Sequence, residues 1–221
     1  KQWGISSALF GVTMAGFGLR IVLGYGNYTE EYALLFNALG IMLFFSILES
    51  EKTFWKYFWI GALFGVSFTF RANNIGGLFA ILTATLIYFI YKRNFTEIIK
   101  TVSITLSGFA FPVLLWVLYF ASQNAANDMI YASLIFNLTY SAAQERHLFF
   151  LFEGFGRFGM GVVSWLAGLA WIVFAFRVLR NLKQKKISLL EIFLLVWFPI
   201  EVLLSNLSGR NFGHYYISWV L

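Results

Sequence analysis

The sequence predicts an all-α protein, a polytopic transmembrane helix bundle of about seven or eight membrane segments with no soluble domain of any size. Three observations predict it. Hydrophobic residues make up 60% of the chain and charged residues 12%, where a soluble domain carries roughly 45–50% and about 25%. The apolar residues fall in runs long enough to cross a bilayer. Phe occurs 27 times in 221 residues, and so many rings on a water-facing surface would aggregate.

A spanning helix needs about 20 mostly apolar residues. Eight segments meet or approach this: 3–24, 32–49, 55–70, 76–91, 102–121, 158–179, 189–205 and the short run 215–221. The third is stopped by Arg71-Ala72-Asn73-Asn74, and Gly76-Gly77 opens the fourth. Polar breaks at membrane depth are tolerated where protein or a water-filled cavity receives them. We read 1–221 as a single transmembrane domain, with 122–157 as an outer loop. Within that loop Met129, Ile130, Leu134, Ile135 and Leu138 have helical spacing, which predicts a short interfacial helix on the outer leaflet. Both ends of the chain fall inside hydrophobic patterns, so a fragment of a longer protein is expected.

Basic residues orient the bundle. If Lys1 is cytoplasmic and the segments alternate, every Lys lies on the inner side. The outer side then carries only Arg20, Arg71, Arg146, Arg157 and Arg210. Topology needs only positive charge, which Lys supplies, whereas the planar fork of Arg suits carboxylate and phosphate. The outer arginines point either to an anion handled near the outer face or to Arg–Glu pairing inside the bundle.

Several functions are excluded. The chain has no Cys, so it has neither a disulfide framework nor a thiolate zinc site. Its net charge of +6 sits in short clusters between apolar runs rather than on a basic face, so nucleic acid is not an expected partner. Gly154-Phe155-Gly156-Arg157-Phe158-Gly159 has glycine-rich spacing, but no strand precedes it, so it is not a dinucleotide loop.

Ionisable groups in a membrane are costly and so mark candidate sites. Four clusters fall on the outer side. In the first, Asn27 or Thr29 is expected to cap a helix whose first turn holds Glu30 and Glu31. Adjacent carboxylates point in different directions, so one can cap while the other faces the bundle. In the second, Arg71 stands with Asn73 and Asn74 and needs an anionic partner or a wet cavity. The third, 205–216, brings Arg210, His214, Tyr215 and Tyr216 to a helix start, with Glu201 just before it. The fourth, Gln144-Glu145-Arg146-His147 with Glu153 and Arg157, is expected to be solvated loop charge.

Three of these stretches resemble the membrane glycosyltransferases of the GT-C fold. The likeness is to bacterial members akin to protein O-mannosyltransferases and lipid A aminoarabinose transferases, of the glycosyltransferase family 39 type. They are 26–34 (GNYTEEYAL), 61–74 (GALFGVSFTFRANN) and 209–216 (GRNFGHYY). The resemblance implies transfer of a sugar from a polyprenyl-phosphate donor to a glycan, lipid or protein acceptor. The reaction would take place at the outer face of a bacterial cytoplasmic membrane. In such chemistry a base activates the acceptor hydroxyl and cations stabilise the departing phosphate. Carried over, Glu30 or Glu31 is an auxiliary catalytic acid near the acceptor or a divalent metal. Arg71, Asn73, Arg210, His214 and Tyr215 then bind the lipid phosphate. The family's principal acid lies in a first outer loop that 1–221 does not contain, so it is expected elsewhere in the protein. A secondary transporter is the main rival, although no two related halves are evident. A polysaccharide polymerase or ligase handling polyprenyl-linked sugars is the second, and a non-enzymatic scaffold the third.

Overall fold

The computed structural model describes residues 4–23, 26–48, 54–136, 139, 161–183, 187–206 and 212–221. Every regular element among them is helical. In chain order they are α1 (Ile5–Val22), α2 (Thr29–Ile47), α3 (Phe54–Phe70), α4 (Gly76–Tyr91), α5 (Phe95–Ser122) and α6 (Ala126–Ile130). A π-helical turn (Tyr131–Ile135), α7 (Val162–Lys183), α8 (Leu189–Asn206) and a 3-10 segment (Gly213–Val220) complete the order. Among the described residues, α1, α2, α5, α7 and α8 are long and apolar enough to cross a membrane, and α4 is a shorter apolar helix.

Most of the expected segments appear, with boundaries moved for local reasons. α5 starts at Phe95 rather than at 102, because the Asn94 side-chain oxygen accepts the Glu97 N–H at 3.3 Å. That cap, with an acid in the first turn, carries the helix through polar residues that hydropathy alone leaves out. α2 likewise starts at Thr29 rather than 32. The last apolar run winds as a 3-10 segment, not an α-helix. The helix expected around 129–140 starts earlier, as α6, and continues into the π-helical turn; Leu138 lies outside the described residues.

In lipid the hydrophobic effect does not drive helix association, so close packing must. α3 packs between α2 and α5, α4 lies against α8, and α1 packs on the 3-10 segment. The α3–α5 contact is backbone against backbone. A Cβ at Gly61 would lie 2.7 Å from the Phe109 nitrogen, and one at Gly108 would lie 2.8 Å from the Phe58 carbonyl carbon. The Phe64 ring fills a notch between α2 and α4. A Cβ on Gly40 would sit 2.7 Å from it, and one on Gly77 2.8 Å. Around that ring Phe44, Ile60, Ile81 and Phe193 are fully buried. Leu9, Phe10, Leu114, Leu118 and Val173 on α1, α5 and α7 are instead exposed, as a lipid-facing surface requires.

The bundle has two polar ends. At one end, Lys56 Nζ donates to the Ser46 carbonyl at 3.1 Å. There too Asn181 donates to Glu191 at 2.8 Å. The opposite end gathers the start of α2, the turn after α3 and the start of the 3-10 segment.

Candidate functional site at one polar end of the bundle

The site is built on helix ends. Gly26 (φ +76°) and Asn27 (φ +65°) turn the chain into α2 in left-handed conformations, which Gly adopts freely and Asn tolerates. Tyr28 therefore occupies the N-cap position. Its N–H donates to Glu31 Oε1 at 3.1 Å. This corrects the expectation that Asn27 or Thr29 caps the helix. Asn27 Oδ1 accepts from the Tyr32 hydroxyl at 2.8 Å, and Thr29 Oγ1 donates to Glu30 Oε2 at 3.0 Å.

The two neighbouring carboxylates diverge. Glu31 closes the helix start, while Glu30 turns into the bundle and is 5% exposed. A carboxylate so buried must be paired. Arg71 supplies the partner from the turn after α3, its Nη1 forming a short ion pair with Glu30 Oε1. His214 Nε2 approaches the same oxygen at 3.9 Å. The guanidinium lies 3.9 Å above the centre of the Tyr215 ring, in range for a cation–π contact. Tyr28 stacks on His214 with centroids 4.3 Å apart and planes 9° from parallel. Phe212 lies parallel to the imidazole at 5.7 Å. Three stretches distant in sequence thus meet in one cluster.

Burial, and then the nearby positive charge of Arg71, hold the His214 imidazole below its usual pKa. Tyr28 and Glu30 face it from α2, Arg71 from the α3–α4 turn, and Tyr215 from its own segment. A group whose folded pKa is depressed adds stability above its unfolded value, about 6.5 for His, and that stability is lost as pH falls. We expect acidification from about pH 6.5 downward to lower the melting temperature of the wild-type protein more than that of His214→Phe. Parallel melting curves for the two proteins between neutral and mildly acidic pH would refute this.

The other expected residues divide. Asn73 Oδ1 is buried without a hydrogen-bond partner, as is Asn74 Nδ2. The Asn74 carbonyl accepts from Ser67 Oγ at 3.1 Å. Tyr216 belongs to the core: it is fully buried and its hydroxyl donates to Asn206 at 2.9 Å. Arg210 lies outside the described residues, as do the Gln144–His147 cluster, Glu153 and Arg157. Tyr28 was not anticipated, being one ring among many in a chain that is 21% aromatic.

Beside Arg71 opens a cleft of about 400 Å³ between α3, α5 and the α6–π turn. Arg71 and Thr29 give it a polar end, and Phe68, Trp116, Val117 and Met129 give it apolar walls. A ligand with an anionic head and a hydrocarbon body matches that division. The described residues alone do not build a divalent-cation site. Among the described residues no three His, Asp or Glu side chains come together. Glu30 and His214 offer two donors, and the Arg71 guanidinium already occupies one oxygen of Glu30.

The chain is a multi-pass α-helical membrane protein with a buried, charged cluster at one polar end of its bundle. No protein-family profile, curated protein or solved structure matches it.

Proposed function

We propose that the protein is a membrane glycosyltransferase. It would move a sugar from a polyprenyl-phosphate donor to a glycan, lipid or protein acceptor at the outer face of a bacterial cytoplasmic membrane. The observation that carries this reading is the Glu30–Arg71–His214 cluster beside an amphiphilic cleft. A purely structural ion pair needs no such cleft.

In this reading the donor phosphate competes with Glu30 for the Arg71 guanidinium, whose planar fork suits both anions. Glu30, released from Arg71, is then an auxiliary acid near the acceptor, and the principal carboxylate, expected elsewhere in the protein, takes the proton of the acceptor hydroxyl. The acceptor oxygen then bonds to the anomeric carbon as the bond from that carbon to the phosphate oxygen breaks. The phosphate leaves with the electron pair and is stabilised by Arg71 and by Arg210. Neutral His214, stacked on Tyr28, keeps Tyr215 and Glu30 in place without adding a cation that would hold Glu30.

The test uses the full protein in proteoliposomes with a panel of radiolabelled polyprenyl-phosphate sugars. We expect transfer by wild type and a loss of roughly 100-fold or more in Arg71→Ala, the scale seen when one transition-state donor is removed. Arg210→Ala should abolish transfer while the protein still inserts. Wild-type rates in both variants would remove the phosphate-binding role. Solute uptake by the same vesicles, with no transfer from any donor, would favour the transporter.

A further inference from the structure

Glu201 is an acid inside the apolar helix α8, 6% exposed, and it takes no part in the Glu30–Arg71–His214 contacts. An acid at such a position carries a large desolvation cost and so marks a task. Its carboxyl lies flat against the first residue of α4. A Cβ on Gly76 would overlap both carboxyl oxygens, the farther at 2.6 Å. Only glycine gives the carboxyl this approach to a helix N-terminus, where the partial positive charge of the helix favours it. Trp197 Nε1 donates to Glu201 Oε1 at 3.0 Å from one turn earlier on α8. The Ser218 side chain hydrogen-bonds to the same carboxyl from the 3-10 segment.

One carboxyl therefore joins α8, the start of α4 and the 3-10 segment. Both of the latter carry cluster residues a short way off. Arg71 lies five positions before Gly76, through a turn fastened on its other side by the Ser67–Asn74 hydrogen bond. Tyr215, which receives the guanidinium on its ring, lies three positions before Ser218.

We infer that Glu201 is a positioning residue that sets Arg71 against Glu30 and Tyr215. It does not touch the cleft beside Arg71; it fixes the two pieces of backbone that bring the guanidinium and its aromatic seat together. The inference rests on the proposed transferase only for its consequence in activity. The geometric claim concerns the ion pair itself.

A cycle of stability measurements tests it with no ligand present. In the Glu201 background the melting-temperature losses of Glu30→Gln and Arg71→Gln are expected to be non-additive, since the two side chains are in contact. In Glu201→Ala the same two losses should become additive, because the pair is no longer held in register. Glu201→Gln keeps the length and the hydrogen-bonding oxygen, and it should restore the non-additivity. If Glu201→Ala does not fold, Glu201→Asp replaces it, since it withdraws the carboxyl from Gly76 by one methylene. Non-additivity of wild-type size in Glu201→Ala or Glu201→Asp overturns the inference, and so does additivity in Glu201→Gln. A wild-type protein that transfers no sugar counts against the proposed function alone and leaves this cycle readable.

Discussion

Arg71→Ala is expected to destabilise the protein by about 3 kcal/mol, near the lower end of what breaking a buried ion pair costs. Glu30 is 5% exposed and loses the one permanently charged partner it has among the described residues, since His214 is held below its usual pKa. The lower end applies because the Arg71 side chain is 26% exposed. For a chain of this size the loss corresponds to a melting-temperature drop of roughly 6–12 °C. Most of the cost is the unpaired carboxylate, so Arg71→Ala combined with Glu30→Gln should recover a good part of it. Arg71→Lys should fall between, since it keeps the charge but loses the fork and the flat face over Tyr215. Thermal unfolding of the four proteins in one mild detergent decides. A double variant no more stable than Arg71→Ala would show that Glu30 is not the group left stranded.

Gly108→Ala should be nearly as damaging, for a reason unrelated to charge. A single methyl there meets the Phe58 backbone of α3, 2.8 Å from its carbonyl carbon and 3.0 Å from its Cα. No side-chain rotation relieves a clash with backbone, so the two helices must separate. Overpacking of this kind costs about 1–3 kcal/mol, and we place Gly108→Ala at the top of that range. Gly61→Ala should behave alike, because its Cβ meets the Thr105 and Phe109 backbone. Gly11→Ala and Gly16→Ala are the controls. A Cβ at either position of α1 has nothing within 4 Å, so both should melt like wild type. The damage should also reach the cleft, since α3 carries Phe68 and α5 carries Trp116 on its walls. A wild-type melting temperature for Gly108→Ala would mean that α3 and α5 do not cross this closely.

The spans were legible in the sequence because hydropathy is a local property. α4 has the bounds read from the sequence, opening at Gly76 and ending before Lys92. α5 was read seven residues too short because a side-chain cap, not hydropathy, sets its start. The site was legible only as a set of costs. An arginine ending an apolar helix requires an anion, and a carboxylate opening the next helix requires a cation. Nothing local says that Arg71 meets Glu30 across 41 positions of chain. Both alternatives for the outer arginines therefore stayed open until the bundle was closed. Tyr28 stayed hidden for the opposite reason. In a chain that is 21% aromatic, one more ring carries no signal. Glu201 stood out as an acid in an apolar run, but its contact with Gly76 depends on how α8 lies against α4.

The packing of α1 on the 3-10 segment, where Val22 meets Tyr216 and Ile217, bears on the order of synthesis. Glu30 can meet Arg71 as soon as the third helix leaves the ribosome. His214 follows after a further stretch that translation at about 5–20 residues/s covers in roughly 7–30 s. During that interval α1 has an unmatched face and Tyr28 has no imidazole beside it. The ion pair is then a scaffold laid early, and the late-arriving segment closes over a pair already formed. A ribosome stalled in α8 would hold a nascent chain with its charges matched but its aromatic cover missing.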